Sequence, residues 1–152
     1  ALGFTSGVDG IDYCLDHASG CGLSGAANQF EDGEWFTTLD LFRYSAPGKL
    51  DLRVGGSPYF SINGGASAIE SFSTGSAHGN GSQASHFGTS HLTLMRPTIS
   101  AGTSYDATPA DLLAFDAIGW DVATAVPEPT AMAMLLAGLG VIGLRTQRRV
   151  KA

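Results

Sequence analysis

The C-terminal 26 residues set the first constraint on folding, because they fall into three physically different parts in a fixed order. Pro127, Glu128 and Pro129 come first, then an apolar run from Thr130 to Leu144, then a cluster holding Arg145, Arg148, Arg149 and Lys151. A proline pair interrupts any helix or strand, the apolar run seeks lipid, and the cations seek water and the anionic cytoplasmic face of a membrane. A helix of this length rises about 22 Å against a hydrocarbon thickness of roughly 30 Å, so a span needs bilayer thinning or snorkelling by Arg145. A buried core helix is the alternative, but core helices rarely lack a polar face and then end in four cations within seven residues. Gly138, Gly140 and Gly143 match the spacing of a dinucleotide-binding loop. No strand precedes them and they lie in the lipid-seeking run, so they read as tail packing.

The order and spacing of these parts resemble the PEP-CTERM sorting signal of Gram-negative bacteria. The resemblance implies export, transient anchoring in the inner membrane, processing near Pro127, Glu128 and Pro129 by an exosortase-type enzyme, and delivery to the cell surface or extracellular matrix. It covers residues 127–152, with 123–126 as a linker. No N-terminal signal peptide is visible and the chain opens on Ala1. Since the tail implies export, the expectation is that the natural protein begins further upstream.

Residues 1–126 are about one domain in length. They hold four basic and thirteen acidic residues, a formal net charge of −9. Such a surface repels phosphate backbones, so nucleic acid is set aside as a partner. Glycine, at 21 of 152 residues, is about twice as frequent as average and predicts many turns and long loops. Cys14 and Cys21 enclose six residues that include His17. In an oxidising compartment the pair reads as a local disulfide; a metal site on the same loop is the alternative, but it supplies only three ligands.

Along the chain, Ala1 to Ser6 reads as the last turn of a helix with Gly7 just beyond it. A loop region holding the cysteines follows to about Gly33, and Trp35 to Tyr44 leans towards strand. Leu50, Leu52 and Val54 alternate with Asp51 and Arg53, the period of a half-buried strand. Tyr59 to Ile62, the turn Asn63-Gly64-Gly65 and Ala66 to Phe72 read as a hairpin. Thr74 to Ser90 is mostly Gly, Ser, His, Asn and Gln, a linker by composition, although His78, His86 and the following Leu92, Leu94 and Met95 suggest that something orders it. Thr108, Pro109 and Asp111 open the clearest helix, with Leu112, Phe115 and Ile118 on one face and Gly119 as its stop. Asp111, Asp116 and Asp121 read as helix-dipole and surface charges.

Nucleophile machinery is missing: there is no Gly-x-Ser-x-Gly elbow and no phosphate-cradling loop ending in Lys-Ser or Lys-Thr. Metal chemistry remains. The chain opens Ala1-Leu2-Gly3-Phe4, and much later reads Gln83-Ala84-Ser85-His86-Phe87 and then Leu94-Met95-Arg96-Pro97. These pieces resemble the downstream half of the leishmanolysin-like metzincin pattern. In that family a His-Glu-x-x-His helix runs directly into Ala-Leu-Gly-Phe, a Ser-His-Trp segment later supplies the third zinc-binding histidine, and a Leu-Met-x-Pro turn floors the metal. Two histidines four apart grip zinc from one helix face with the intervening Glu as general base, and the third ligand has to return from a distance. The resemblance implies that His86 is that ligand, that Met95 is the Met-turn support, that Gly3 marks the end of the helix and that zinc is the cofactor. Phe87 stands where the family has Trp, and His91 is a rival ligand. Residues 114–122 also resemble the closing helix of exported bacterial metallopeptidase-like proteins with the same tail, and Trp120 can cover the core from one side.

The fold expected is α+β, the C-terminal half of a zincin-like catalytic domain over residues 1–122. It should be loop-rich, with short β-hairpins and one clear helix, followed by a single membrane-anchoring helix. The function implied is that of the C-terminal portion of an exported zinc peptidase acting on polypeptides, inactive as this fragment because the His-Glu-x-x-His helix is absent. The rival reading is a non-enzymatic exported surface or exopolysaccharide-matrix protein, which the glycine-rich acidic composition suits equally. His86 and His91 are then loop histidines, and Met95 a core methionine.

Overall fold

In the computed structural model, residues 3–17, 21, 35–89, 92–121 and 133–139 are described. Two compact units divide the chain, Ala1–Val122 and Ala123–Ala152. The first is a small α+β unit built from two helices and a four-stranded antiparallel sheet among the described residues.

Helix α1 spans Gly7–Asp16. The sequence reading ends a helix before Gly7; the structure begins one there. Ser6 is the N-cap, its hydroxyl accepting from Val8 N, and Val8, Ile11 and Cys14 recur every three residues to form the buried face. Gly7 and Gly10 are poor helix formers, so propensity conceals an element that tertiary packing stabilises. Cys14 lies on this helix rather than in a loop and is disulfide-bonded to Cys21.

A 3-10 helix at Thr38–Phe42 then leads into β1, Arg43–Ala46, so the Trp35–Tyr44 stretch is mostly not strand. Strand β2 is only Lys49–Leu50 and closes a hairpin on β1 with a register irregularity between Tyr44 and Ala46. The alternation is reversed at its start, where Leu50 is 39% exposed and Asp51 2%, whereas Arg53 is exposed and Val54 packs inward as expected. Asp51 turns inward, donating its N–H to Arg43 O, while its carboxylate accepts from Arg53 N and pairs with the Arg53 guanidinium at 3.6 Å.

Strands β3, Tyr59–Phe60, and β4, Glu70–Ser71, form the expected hairpin, shorter than the apolar pattern suggests. Its turn packs back on β1. Gly65 has φ +84°, and a Cβ there would stand 2.7 Å from Ala46 O and 2.8 Å from the Tyr44 ring. The sheet order is β2-β1-β3-β4, and the isolated bridge Phe72–Phe87 carries pairing on into the following loop.

Helix α2, Pro109–Ala117, is capped as its sequence predicts, with Thr108 and Asp111 forming a capping box and Gly119 at φ +99° just past its end. Its packed face differs from the expected one. Ala110, Leu113, Ala114, Ala117 and Ile118 meet the core, Phe115 stacks edge-on against Phe4 at 4.5 Å, and Leu112 is exposed. Trp120 is also exposed.

The main core joins Leu39, Phe60, Phe72, Phe87, Met95 and Ala114. The rings of Phe60, Phe72 and Phe87 lie 5.3–6.1 Å apart, within the range of favourable aromatic pairs. A second cluster of Ile11 and Cys14, with Cys21, Phe36 and Val54 against it, seats α1.

In the C-terminal unit residues 133–139 are helical and exposed. Among the described residues no helix is long and apolar enough to cross a membrane; the expected anchoring helix, 130–144, lies mostly outside them.

Candidate functional site

Two segments identified in the sequence meet in the structure. Phe87, next to His86, donates its N–H to Met95 O at 2.8 Å, and both side chains enter the main core. His86 itself is half-buried, and its Nδ1 is buried without a hydrogen-bond partner. His91, Pro127, Glu128, Pro129, Arg145, Arg148 and Arg149 lie outside the described residues, as do Ala1 and Leu2.

Within the stretch 74–90, a linker by composition, the described residues are ordered by side chains of other elements. Both Asp12 oxygens accept at 2.8 Å, from Ala77 N and His78 N. Asp9 accepts from Ala84 N and Ser85 N at 2.5 and 3.1 Å. Asn80 and Thr74 exchange bonds between side chain and backbone, and His78 Nε2 lies 3.1 Å from Asp16. Gly79 makes this fold-back possible, since a Cβ there would fall within 2.4 Å of the Thr74–Gly75 peptide.

Arg43 is the centre of the arrangement. Its side chain is 1% exposed, donates from Nη1 to Ala84 O and from Nη2 to Ser73 O at 2.9 and 2.8 Å, and lies over the Phe72 ring at 4.9 Å. Desolvation lowers its pKa to about 10, against the opposing influence of Asp40, Asp51 and Asp9, so it remains a cation at neutral pH.

The Met95 turn is held in the same manner. Asp111, 0% exposed, accepts from Leu94 N and Met95 N at 3.0 and 3.2 Å and from Thr108 N and Oγ1 at 2.8 and 2.7 Å. It is therefore not a surface charge; it binds helix α2 to the turn that carries Met95. The capping-box spacing of Thr108 and Asp111 was the available signal, whereas nothing local marks Asp9, Asp12 or Arg43.

Imidazole is a common zinc ligand, and the unpartnered Nδ1 is compatible with His86 serving as one. Among the described residues no group of three or more His, Cys, Asp or Glu could hold a metal ion.

Residues 125–149 match the PEP-CTERM protein-sorting motif. The chain is thus an exported, envelope-directed protein carrying the recognition signal of an exosortase. The match begins two residues before Pro127 and ends at Arg149. No curated protein and no solved structure matches the chain.

Proposed function

We propose that this chain is the C-terminal part of an exported zinc-dependent metallopeptidase of leishmanolysin-like type, with His86 as the third zinc ligand and Met95 as the floor beneath it. The observation that carries the reading is the Phe87 N to Met95 O bond: it pairs, across eight positions, the two segments that the resemblance assigns to one metal site. The orphaned Nδ1 of His86 adds support, because a histidine kept only for packing normally satisfies its buried nitrogen. When bound, zinc supplies Lewis-acid activation of water and of the peptide carbonyl. The residues described here hold the ligand-bearing loop and exclude water beneath it with Phe87 and Met95. On this reading the general base and the remaining ligands would be supplied by a His-Glu-x-x-His helix. Delivery follows the sorting tail, to the surface or matrix of a Gram-negative cell.

The test is zinc content and peptidase activity of the intact protein with His86→Ala. Both should fall to background. Retention of stoichiometric zinc by the variant would overturn the assignment and leave the non-enzymatic surface or matrix protein as the better reading.

A further inference from the structure

We propose that Asn63 is a self-modifying residue: the backbone nitrogen of Gly64 attacks its side-chain amide, and water opens the resulting succinimide to aspartate or isoaspartate. The inference is independent of any metal. The chain holds two Asn-Gly steps, Asn63-Gly64 and Asn80-Gly81. Both lie on the surface, and both glycines have a positive φ, +69° and +84°, with open space where a Cβ would stand. In each, the asparagine Oδ1 accepts two hydrogen bonds. For Asn63 they come from Ser61 Oγ and Ser67 N, at 2.8 and 3.0 Å; for Asn80 they come from Thr74 N and Ser82 N, at 3.0 and 3.3 Å. Such donors polarise the carbonyl and stabilise the oxyanion that forms when a nucleophile adds. The two electrophiles are therefore matched.

The nucleophiles are not. Gly81 N–H donates to Gly75 O at 3.0 Å, and Asn80 N–H is itself tied to Thr74 Oγ1 at 2.8 Å. A hydrogen bond made by the neutral form of an acid opposes its ionisation, and succinimide closure needs the amide nitrogen without its proton. Gly64 is exposed, and its N–H has no acceptor among the described residues. Asn63 Nδ2, the nitrogen that has to leave, lies 3.3 Å from the Ser67 hydroxyl. In the step itself, Gly64 N gives its proton to water or hydroxide and bonds to Asn63 Cγ. The Cγ–Nδ2 bond breaks, its electron pair goes with the nitrogen, and the nitrogen takes up a proton and departs as ammonia. Water then adds to either carbonyl of the ring: cleavage at Cγ leaves aspartate, and cleavage at the backbone carbonyl leaves isoaspartate. Isoaspartate lengthens the main chain by a methylene at the tip of the β3–β4 hairpin. There Gly64 O accepts from Gly48 N at 2.7 Å and Gly65 O from Tyr59 Oη at 2.6 Å, so the product loosens the seat of this turn on the β1–β2 turn.

The experiment incubates the chain at mildly alkaline pH, folded and in urea, and follows conversion at each asparagine by peptide mapping with mass spectrometry. In urea both steps should convert, which calibrates the two sites without their tertiary surroundings. For Asn63, the rate in the folded chain divided by the rate in urea should exceed the same ratio for Asn80 by about fivefold or more, the factor that one hydrogen bond on the nucleophile represents. Asn63→Gln, whose longer arm has to close a larger ring, should lose the product at that position and leave the slow conversion of Asn80 as it is. Equal ratios at the two positions, a larger ratio at Asn80, or an Asn63 that stays intact in the folded chain overturns the inference. Ammonia loss from the Asn63→Gln side chain at the wild-type rate overturns it as well.

Discussion

Asp9, Asp12, Asp40 and Asp111 each accept at least two hydrogen bonds, mostly from backbone N–H groups of loops. In a chain whose strands are only two to four residues long, the sheet ladder satisfies few amides, and short carboxylates do the rest. Asp111 and Asp40 are the extreme cases, each buried and bonded to four donors. Asp111→Ala is expected to destabilise the body by about 2–4 kcal/mol, because it removes charge-assisted bonds and leaves buried amides unpaired. Urea denaturation of the two proteins measures it; a loss below about 0.5 kcal/mol would contradict the role assigned here. In the sequence, Asp111 is legible as an N-terminal helix acid but not as a buried one. The capping pattern is the same whether its outward side meets water or the Met95 turn.

Elements were legible where the local signals agreed. Helix α2 and the β3–β4 hairpin carry their own caps, proline and Asn-Gly turn, so neighbouring residues suffice to place them. Helix α1 and the 74–88 loop lack such agreement: one holds two glycines in a helix, the other is linker-like throughout. Each stabilises the other, through Asp9 and Asp12, across more than sixty residues. The disulfide joins Cys14 of this helix to Cys21, seven positions on. On the chain-entropy account, closing that loop contributes about 2.5 kcal/mol. The urea midpoint should therefore fall when reductant is added, and a Cys14→Ser/Cys21→Ser double variant should match the reduced protein and ignore reductant. Equal midpoints with and without reductant would show that the link contributes nothing to stability.

At the scale of the whole molecule the two units have different tasks, one an acidic body and the other a sorting tail. The body's compactness rests on its own core, so removal of residues 127–152 should leave its urea midpoint unchanged. In a bacterium with an exosortase, the same truncation should abolish envelope retention, and cell fractionation reads the outcome. Replacing only Pro127, Glu128 and Pro129 by alanine should block processing while the apolar run remains. Normal processing of that triple variant would mean that recognition lies elsewhere in the tail.

The amino-acid order by itself determined the tail, the capped helix, the hairpin turn and the acidic, loop-rich character of the body, since each follows from chemistry among residues within a turn or two of one another. Tertiary structure alone decided which carboxylates and which arginine face inward, and that a glycine-containing segment becomes α1. Those outcomes depend on bonds between distant segments, where the free energy of a buried ion depends on donors that no local pattern announces.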